Sequence, residues 1–159
     1  MMLSQKISPF LWFNDDAEEA AQHYVRGFPN SRILTVERYP EGGPAPVGSV
    51  MTVSFELAGH AFTGMNGGPA FRPNESVSFA VLCDDQHEVD KLWDHLSEGG
   101  QTSACGWLKD KWGFSWQIIP RRFLELLMNN DPLVKARVFG AMMKMTKYDI
   151  AEIERAAKL

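Results

Sequence analysis

The chain has 159 residues, of which 45% are hydrophobic, so it is long enough to bury one substantial core. Its net charge of -4, with no basic run longer than Arg121 and Arg122, argues against a nucleic-acid partner. No stretch approaches the roughly 18 apolar residues of a membrane span and the first residues do not resemble a signal peptide, so we expect a cytoplasmic protein without membrane contact.

The first half of the chain predicts a strand, a helix and three further strands. Residues 7–13 form an apolar run with aromatic side chains, which indicates a strand. Asp15 and Asp16 precede a segment whose apolar residues recur with helical spacing and which ends near Gly27. The three strands that follow are predicted at residues 31–39, 49–57 and 60–66.

The second half of the chain repeats this order. Residues 76–83 predict a strand, and Asp84 and Asp85 precede a helix with apolar residues at helical spacing. Residues 109–120 predict a hairpin that turns at Gly113. Laying one half on the other at an offset of about 69 residues superposes strand, caps and helix face, which predicts two copies of one unit.

Beyond residue 120 the pattern becomes helical, and we expect the apolar residues there to belong to the core. The apolar methionines near residue 143 could also contact a second subunit, since methionine fills irregular gaps. Three helices are predicted, over residues 121–128, from 132 to about 145 and over 150–157.

The returning strand of the hairpin predicts the floor of a pocket. Ser115 and Gln117 share one face of this strand, because strand side chains alternate. Trp107, Trp112 and Trp116 flank them, so the pocket would have aromatic walls and a polar centre. The alternative is that Gln117 only binds a neighbouring backbone group and that the tryptophans are core residues.

Four stretches carry a family resemblance: FLWFNDDAEEAAQHY, LAGHAFTGMNGGPAF, GWLKDKWGFSWQIIP and ELLMNNDPLVKARVFGAMMKMTKYDIAEIERA. Together they resemble the PhnB-like branch of the vicinal oxygen chelate (VOC, glyoxalase/bleomycin resistance) superfamily, a branch often labelled demethylubiquinone methyltransferase domain. The resemblance implies a single α+β domain of two βαβββ modules, about 5–68 and 75–120, which form a curled mixed sheet, with a helical tail at 121–159. It also implies a cup that holds a small-molecule ligand, and a homodimer.

The resemblance further implies where a metal would be bound in metal-using relatives. Their ligands come from the first and last strands of each module, and the matching positions here fall at or near Pro9, Ser78 and Gln117, with His60 nearest to the fourth. Proline, serine and glutamine are not normal ligands of a divalent metal. We therefore expect no metal and no other cofactor.

The cup implied by the resemblance would be lined from both modules. Its expected ligand-binding residues are Pro9, Leu11, Phe13, Asn66, Ser78, Trp107, Trp112, Ser115 and Gln117. This lining suits a flat or apolar, uncharged ligand better than a phosphate. No catalytic residue is predicted, because no acid–base pair is visible in the sequence.

Three functions remain open at this point. The chain could be a metal-independent enzyme acting on a small organic molecule, a protein that sequesters a ligand, or a methyltransferase. The last is disfavoured because Gly67 and Gly68 lead into Pro69 and a loop, not into a helix. Cys83 and Cys105 are expected to be free thiols, and Cys105 lacks the neighbouring base that would make it a nucleophile.

Overall fold

The computed structural model describes residues 5–159, and the chain divides into two compact units, one ending at Pro73 and the other beginning at Asn74. We call them unit 1 and unit 2. The predicted organisation as a single domain, with boundaries at 5–68, 75–120 and 121–159, stays a prediction. Within the described residues, no helix combines the length and the hydropathy needed to cross a membrane.

Unit 1 is a βαβββ module. Its elements are β1 (Phe10–Phe13), α1 (Ala17–Gly27), β2 (Arg32–Arg38), β3 (Val50–Leu57) and β4 (His60–Asn66). The strand order is β1-β4-β3-β2, with β1 parallel to β4 and the other pairs antiparallel. The hairpin between β3 and β4 turns at Ala58 and Gly59, which both have a positive φ, as a two-residue turn requires.

The helix of unit 1 covers one face of its sheet. The small alanines of α1 and its Tyr24 are buried, as the helical spacing predicts. The Tyr24 ring lies 6.1 Å from that of Phe55, which stacks on Phe62 at 5.5 Å. These contacts place the core of unit 1 between α1 and the sheet.

Unit 2 repeats the module and adds three helices. Its elements are β5 (Ser78–Cys83), α2 (Gln86–Ser97), β6 (Gln101–Thr102), β7 (Trp107–Lys109), β8 (Ser115–Pro120), α3 (Arg121–Leu127), α4 (Pro132–Met142) and α5 (Ile150–Lys158). The strand order β5-β8-β7-β6 has the same topology as in unit 1, and β5 is parallel to β8. The predicted α+β fold of two βαβββ modules is therefore confirmed, as two open four-stranded sheets that do not close on themselves.

The first strands of the two units do not correspond at the offset that the sequence predicted. The helix residues Tyr24 and Trp93 are both buried, as the predicted offset requires. In the strands, however, the buried Phe13 corresponds to the buried Cys83, so the strand offset is one residue longer than the helix offset. A shift of one residue moves every strand side chain to the opposite face.

The three added helices have their own apolar cluster. Its buried residues are Phe123, Leu126, Val138, Met142, Tyr148 and Ile153. Gln86, in the first turn of α2, joins this cluster to the module, because its Oε1 accepts from the Ile150 amide at 2.9 Å and its Nε2 donates to the Tyr148 carbonyl at 3.0 Å. The helices are thus attached to unit 2 by hydrogen bonds as well as by apolar contacts.

Candidate ligand-binding site

The sheet of unit 2 has one face that α2 does not cover. Trp116 and Ile118 are buried on the helix side of β8, so the alternating residues Ser115 and Gln117 lie on the other side. Residues that are paired across a sheet point to the same side, which extends this face to β5 and β7. We call it the open face, and it consists of Ser78, Ala80, Trp107, Lys109, Ser115 and Gln117.

The structure therefore brings together four of the predicted site residues. Gln117 Nε2 donates to Ser78 Oγ at 2.9 Å, and Trp107 is the cross-strand partner of Gln117. Ser115 is the cross-strand partner of Ser78. The alternative role predicted for Gln117, a bond to a neighbouring backbone group, is not the contact observed, because its partner is a side-chain hydroxyl.

Ser115 is the most informative residue on this face. It is only 2% exposed, and its Oγ has no hydrogen-bond partner among the described residues. It lines a cavity of about 210 Å³ together with Trp107 and Lys109. A buried hydroxyl without a partner costs free energy, so a group that enters this cavity and binds the hydroxyl would be stabilised.

A charged pair borders the same cavity. Lys109 Nζ forms an ion pair with Glu75, which is exposed, and both residues line the cavity. The hydrogen bond from Lys109 lowers the pKa of the Glu75 carboxyl, which favours the charged form of that carboxyl. Neither residue was predicted from the sequence, although the pairing of Lys109 with Ser115 follows from the hairpin once its turn is placed.

Trp112 lies in the turn between β7 and β8, outside the strand pairing that defines the open face. Its backbone N–H donates to Asp110 Oδ1 at 2.9 Å, and Lys111 Nζ lies 5.5 Å from the centre of its ring. Its predicted contact with a ligand stays a prediction.

Asp110 organises this turn and was not singled out from the sequence. It is buried, and Oδ1 accepts from the amides of Trp112 and Phe114 while Oδ2 accepts from Trp116 Nε1 at 2.8 Å. These three bonds fix the turn and the indole of β8. A lone Asp in a turn-rich stretch gave no signal that it would be buried.

The four predicted site residues of unit 1 have mainly structural contacts. Leu11 and Phe13 are buried, and the Phe13 ring lies so close to Gly64 that a Cβ there would touch it. The Pro9 carbonyl accepts from the Thr63 amide at 3.1 Å. Their predicted contact with a ligand stays a prediction, because in unit 1 they serve the core and the sheet.

Asn66 caps the helix of unit 1. Its Oδ1 accepts from the Ala17 amide at 2.9 Å, and its Nδ2 donates to the Val50 carbonyl at 3.2 Å. Asp16, one of the residues expected to cap α1, makes no such side-chain bond. Asn66 thus satisfies the first amide of α1 in place of Asp16, and it also lines a cavity of about 840 Å³ in unit 1.

The donor groups at the metal positions implied by the resemblance do not fit a divalent cation. The Pro9 side chain has no donor atom, and the side chains of Ser78 and Gln117 bind each other. Within residues 5–159, no group of three His, Cys, Asp or Glu side chains gathers at one point. The hydroxyl of Ser78 and the amide of Gln117 are uncharged groups suited to hydrogen bonds with an organic molecule.

Packing against Trp12 explains why two glycines, Gly67 and Gly68, follow β4. A Cβ on Gly67 would overlap the ring of Trp12, and the Trp12 indole N–H donates to the Gly68 carbonyl at 2.9 Å. Gly68 has a φ of 86°, and no helix begins there. The pair therefore allows a close packing of backbone on tryptophan.

The two thiols differ in their surroundings. Cys83 is fully buried on β5, and burial raises the pKa of its thiol to about 12, with Glu88 and other carboxylates adding to the rise. Cys105 is half-buried, and its Sγ lies 3.9 Å from Met143 Sδ. Both are free thiols, as predicted.

The fold and the open face define a class of protein: two βαβββ modules with open mixed sheets form the fold of the VOC superfamily. The family model described as 3-demethylubiquinone-9 3-methyltransferase matches residues 5–119, and the chain belongs to that family, the PhnB-like branch of the superfamily. The match ends before α3, so the three C-terminal helices lie outside it. No curated protein matches the chain.

Solved structures agree with this assignment. The PhnB protein of Bacillus cereus, provisionally named a 3-demethylubiquinone-9 3-methyltransferase, is 33% identical, with a TM-score of 0.68 over 73% of this chain and 99% of its own. A Pseudomonas aeruginosa protein is 20% identical, with a TM-score of 0.61 over 74% of this chain and 98% of its own.

A variant of the fosfomycin resistance protein FosX from Listeria monocytogenes, complexed with Mn(II) and 1S,2S-dihydroxypropylphosphonic acid, shares the fold. It is 14% identical, with a TM-score of 0.51 over 72% of this chain and 90% of its own.

Proposed function

We propose that the protein binds a small organic molecule on the open face of unit 2. The observation that carries this proposal is the buried hydroxyl of Ser115, which has no hydrogen-bond partner within residues 5–159, in a residue that lines a cavity together with Trp107 and Lys109. The neighbouring Gln117 and Ser78 add neutral hydrogen-bonding groups. The cavity combines the aromatic side chain of Trp107 with several polar groups, and its volume is below that of a usual ligand pocket, so it suits a small molecule or one end of a larger one.

Mass spectrometry under native conditions tests this proposal on freshly purified protein. We expect a mass above that of the chain, corresponding to a co-purified organic molecule, and we expect Gln117→Ala to lower its occupancy. The matched control is Gln22→Ala, a change at an exposed position of α1. Equal occupancy in both variants would place the ligand elsewhere, and an unliganded mass in several independent preparations would contradict the proposal.

We propose that binding needs no divalent metal. Support comes from the donor set at Pro9, Ser78 and Gln117, which offers no carboxylate or imidazole. Metal analysis should find no stoichiometric cation, and Mn²⁺, Ni²⁺ and Zn²⁺ should leave the midpoint of thermal unfolding unchanged. A ligand that prefers the folded state raises that midpoint, so a clear rise with one cation would overturn this part of the proposal.

Binding is common to a metal-independent enzyme and to a sequestering protein. Among the described residues of the open face and its cavity, Lys109 and Glu75 are the one pair that could act as acid and base, so the sequestering role needs the fewest additional groups. Comparing the released molecule with the one supplied separates the two roles, because an enzyme returns a changed molecule.

A methyltransferase is the second candidate, because the description of the matching family names that activity. Its test is the effect of S-adenosylmethionine on the thermal midpoint. We expect no rise, since the glycine pair after β4 packs against Trp12 and precedes a loop.

We also propose that the protein acts as a homodimer, as the resemblance implies. Exposed apolar residues on the C-terminal helices, such as Leu133 and Phe139, and Met128 directly after α3 support an association between copies. Light scattering after gel filtration gives the mass in solution, and a monomer at micromolar concentration would contradict the proposal.

A further inference from the structure

The open face changes from polar to apolar along its strands. One row across the sheet contains Ser78, Ser115 and Lys109, which are successive cross-strand partners, and continues to Gln101. The next row contains Ala80, Gln117 and Trp107, and beyond it lie Leu82 and Ile119. A ligand that follows the strands would therefore meet hydrogen-bonding groups at one end and apolar groups at the other.

The polar row contains Lys109, whose ion pair with Glu75 can be broken by a competing anion. Of the described residues that line the 210 Å³ cavity, Lys109 is the one cation and Glu75 the one anion. Glu75 is exposed, and an ion pair with an exposed member contributes little to stability because water screens the charges. A second anion that also reaches a buried donor could replace Glu75 at Lys109.

Ser115 is such a donor. Ser115 lines the same cavity, its buried Oγ has no hydrogen-bond partner among the described residues, and it lies directly opposite Lys109 on the neighbouring strand. An oxygen placed between them would accept one bond from the hydroxyl and one from the ammonium group. Charge-assisted bonds of this kind are about twice as strong as neutral ones.

We propose, on the basis of the function proposed above, that the ligand is a monocarboxylic acid with an apolar body. Its carboxylate enters the cavity, accepts from Ser115 Oγ and Lys109 Nζ, and displaces Glu75. Its body lies along Ala80 and Trp107 towards the apolar end of the open face. A single ammonium group matches a single negative charge, and the small cavity favours a carboxylate over a larger, doubly charged phosphate.

Nuclear magnetic resonance tests the proposal with two probes of equal shape, hexanoate and hexanamide. Hexanoate should shift the signals of the Gln117 side-chain amide, the Trp107 indole and the Ser115 backbone amide at millimolar concentration. Hexanamide should bind about tenfold more weakly, because it lacks the charge that Lys109 recognises.

Two substitutions separate the roles of the ion pair. Lys109→Met should weaken hexanoate binding about tenfold and leave hexanamide binding nearly unchanged. Glu75→Gln should strengthen hexanoate binding by about two- to fivefold, because it removes the internal competitor. The matched control is Lys111→Met, which removes a positive charge from the turn outside the cavity and should change neither value.

Ser115→Ala provides a readout that a purely structural role would not give. It should weaken hexanoate binding by about three- to tenfold and leave the stability of the free protein unchanged or slightly higher, because a buried hydroxyl without a partner is removed. A loss of stability would show that the hydroxyl has a partner within the protein and would contradict the proposal.

The carboxylate assignment can fail while binding of an organic molecule on the open face still holds, and the experiments tell these outcomes apart. Equal affinities for hexanoate and hexanamide, or an unchanged affinity in Lys109→Met, would overturn the carboxylate assignment while the open face remained a binding site. An absence of shifts with hexanoate would also overturn it, whereas the co-purified molecule tests the function independently.

Discussion

At the scale of single residues, Asp110 is expected to contribute most to the hairpin that carries the site. Asp110→Ala would leave the amides of Trp112 and Phe114 and the indole N–H of Trp116 without the bonds seen here. Buried donors that lose a partner cost about 1 to 3 kcal/mol each, so with three donors we expect a loss of about 3 kcal/mol or more in the free energy of unfolding. Urea unfolding measures it.

The control for this prediction is Asp94→Ala, at an exposed position of α2, which should change stability by less than about 0.5 kcal/mol. Equal effects of the two substitutions would show that the Asp110 bonds are not important for stability.

The two cysteines are expected to differ in reactivity. Cys105 should react with a thiol reagent in the folded protein at pH 8, whereas Cys83 should react only after unfolding, because it is buried and its pKa is raised to about 12. Counting modified thiols before and after adding denaturant checks this, and Cys105→Ser should abolish the reaction of the folded protein. Rapid modification of Cys83 in the folded state would contradict the prediction.

The raised pKa of Cys83 also predicts a pH dependence. Below the ordinary thiol pKa of about 8.5 the thiol is protonated in the folded and in the unfolded chain, so it does not make the free energy of unfolding depend on pH. Above it the unfolded chain loses its proton first, so stability falls as pH rises towards about 12. The fall should be less steep in Cys83→Ala, as measured by unfolding at a series of alkaline pH values.

At the scale of elements, two glycines form a matched pair for substitution. Gly106 has a φ of 77°, and a Cβ there would overlap the Tyr148 ring of the C-terminal cluster. Gly140 lies within α4, and a Cβ there would meet open space. Gly106→Ala should therefore destabilise the protein by more than about 2 kcal/mol, and Gly140→Ala should stabilise it by up to about 1 kcal/mol.

Thermal unfolding of both alanine variants measures these effects. A Gly106→Ala protein as stable as the wild type would show that the approach of Tyr148 to the β7 segment is not tight.

Gln86 is expected to hold α5 against the module. Gln86→Ala removes the bonds to the Ile150 amide and the Tyr148 carbonyl, and the Lys147–Asp90 ion pair at 2.7 Å remains. Hydrogen exchange of the α5 amides should therefore accelerate, while exchange in unit 1 stays the same. Gln22→Ala is the control, and unchanged exchange in α5 would contradict this role of Gln86.

Element types followed from the sequence, but one strand face did not. The spacing of Val89, Leu92 and Trp93 predicted the buried side of α2, because a helix repeats its pattern over several turns. The strand β1 has only four residues and is apolar on both sides, so alternation could not decide its phase. For this reason the sequence did not show that the strands repeat with an offset one residue longer than that of the helices. Leu11 and Phe13 therefore lie in the core and not on the face where a ligand was expected.

At the scale of the whole molecule, the duplicated module was predictable because its strands, caps and helices repeat in order. The candidate site was predictable in part: Ser78, Trp107, Ser115 and Gln117 share the open face of unit 2. Lys109 and Glu75 were missed, because their ion pair joins the hairpin to the loop before β5. Contacts of this kind depend on tertiary structure, which no local pattern contains.

We expect a carboxylic acid with an apolar body to bind the open face through the buried hydroxyl of Ser115, without a metal. A crystal structure of the protein grown with hexanoate tests it most directly. The electron density should show a carboxylate oxygen within hydrogen-bonding distance of Ser115 Oγ, with the carbon chain against Trp107. A cavity that contains only water at saturating hexanoate, or a divalent cation held there by side chains, would contradict it.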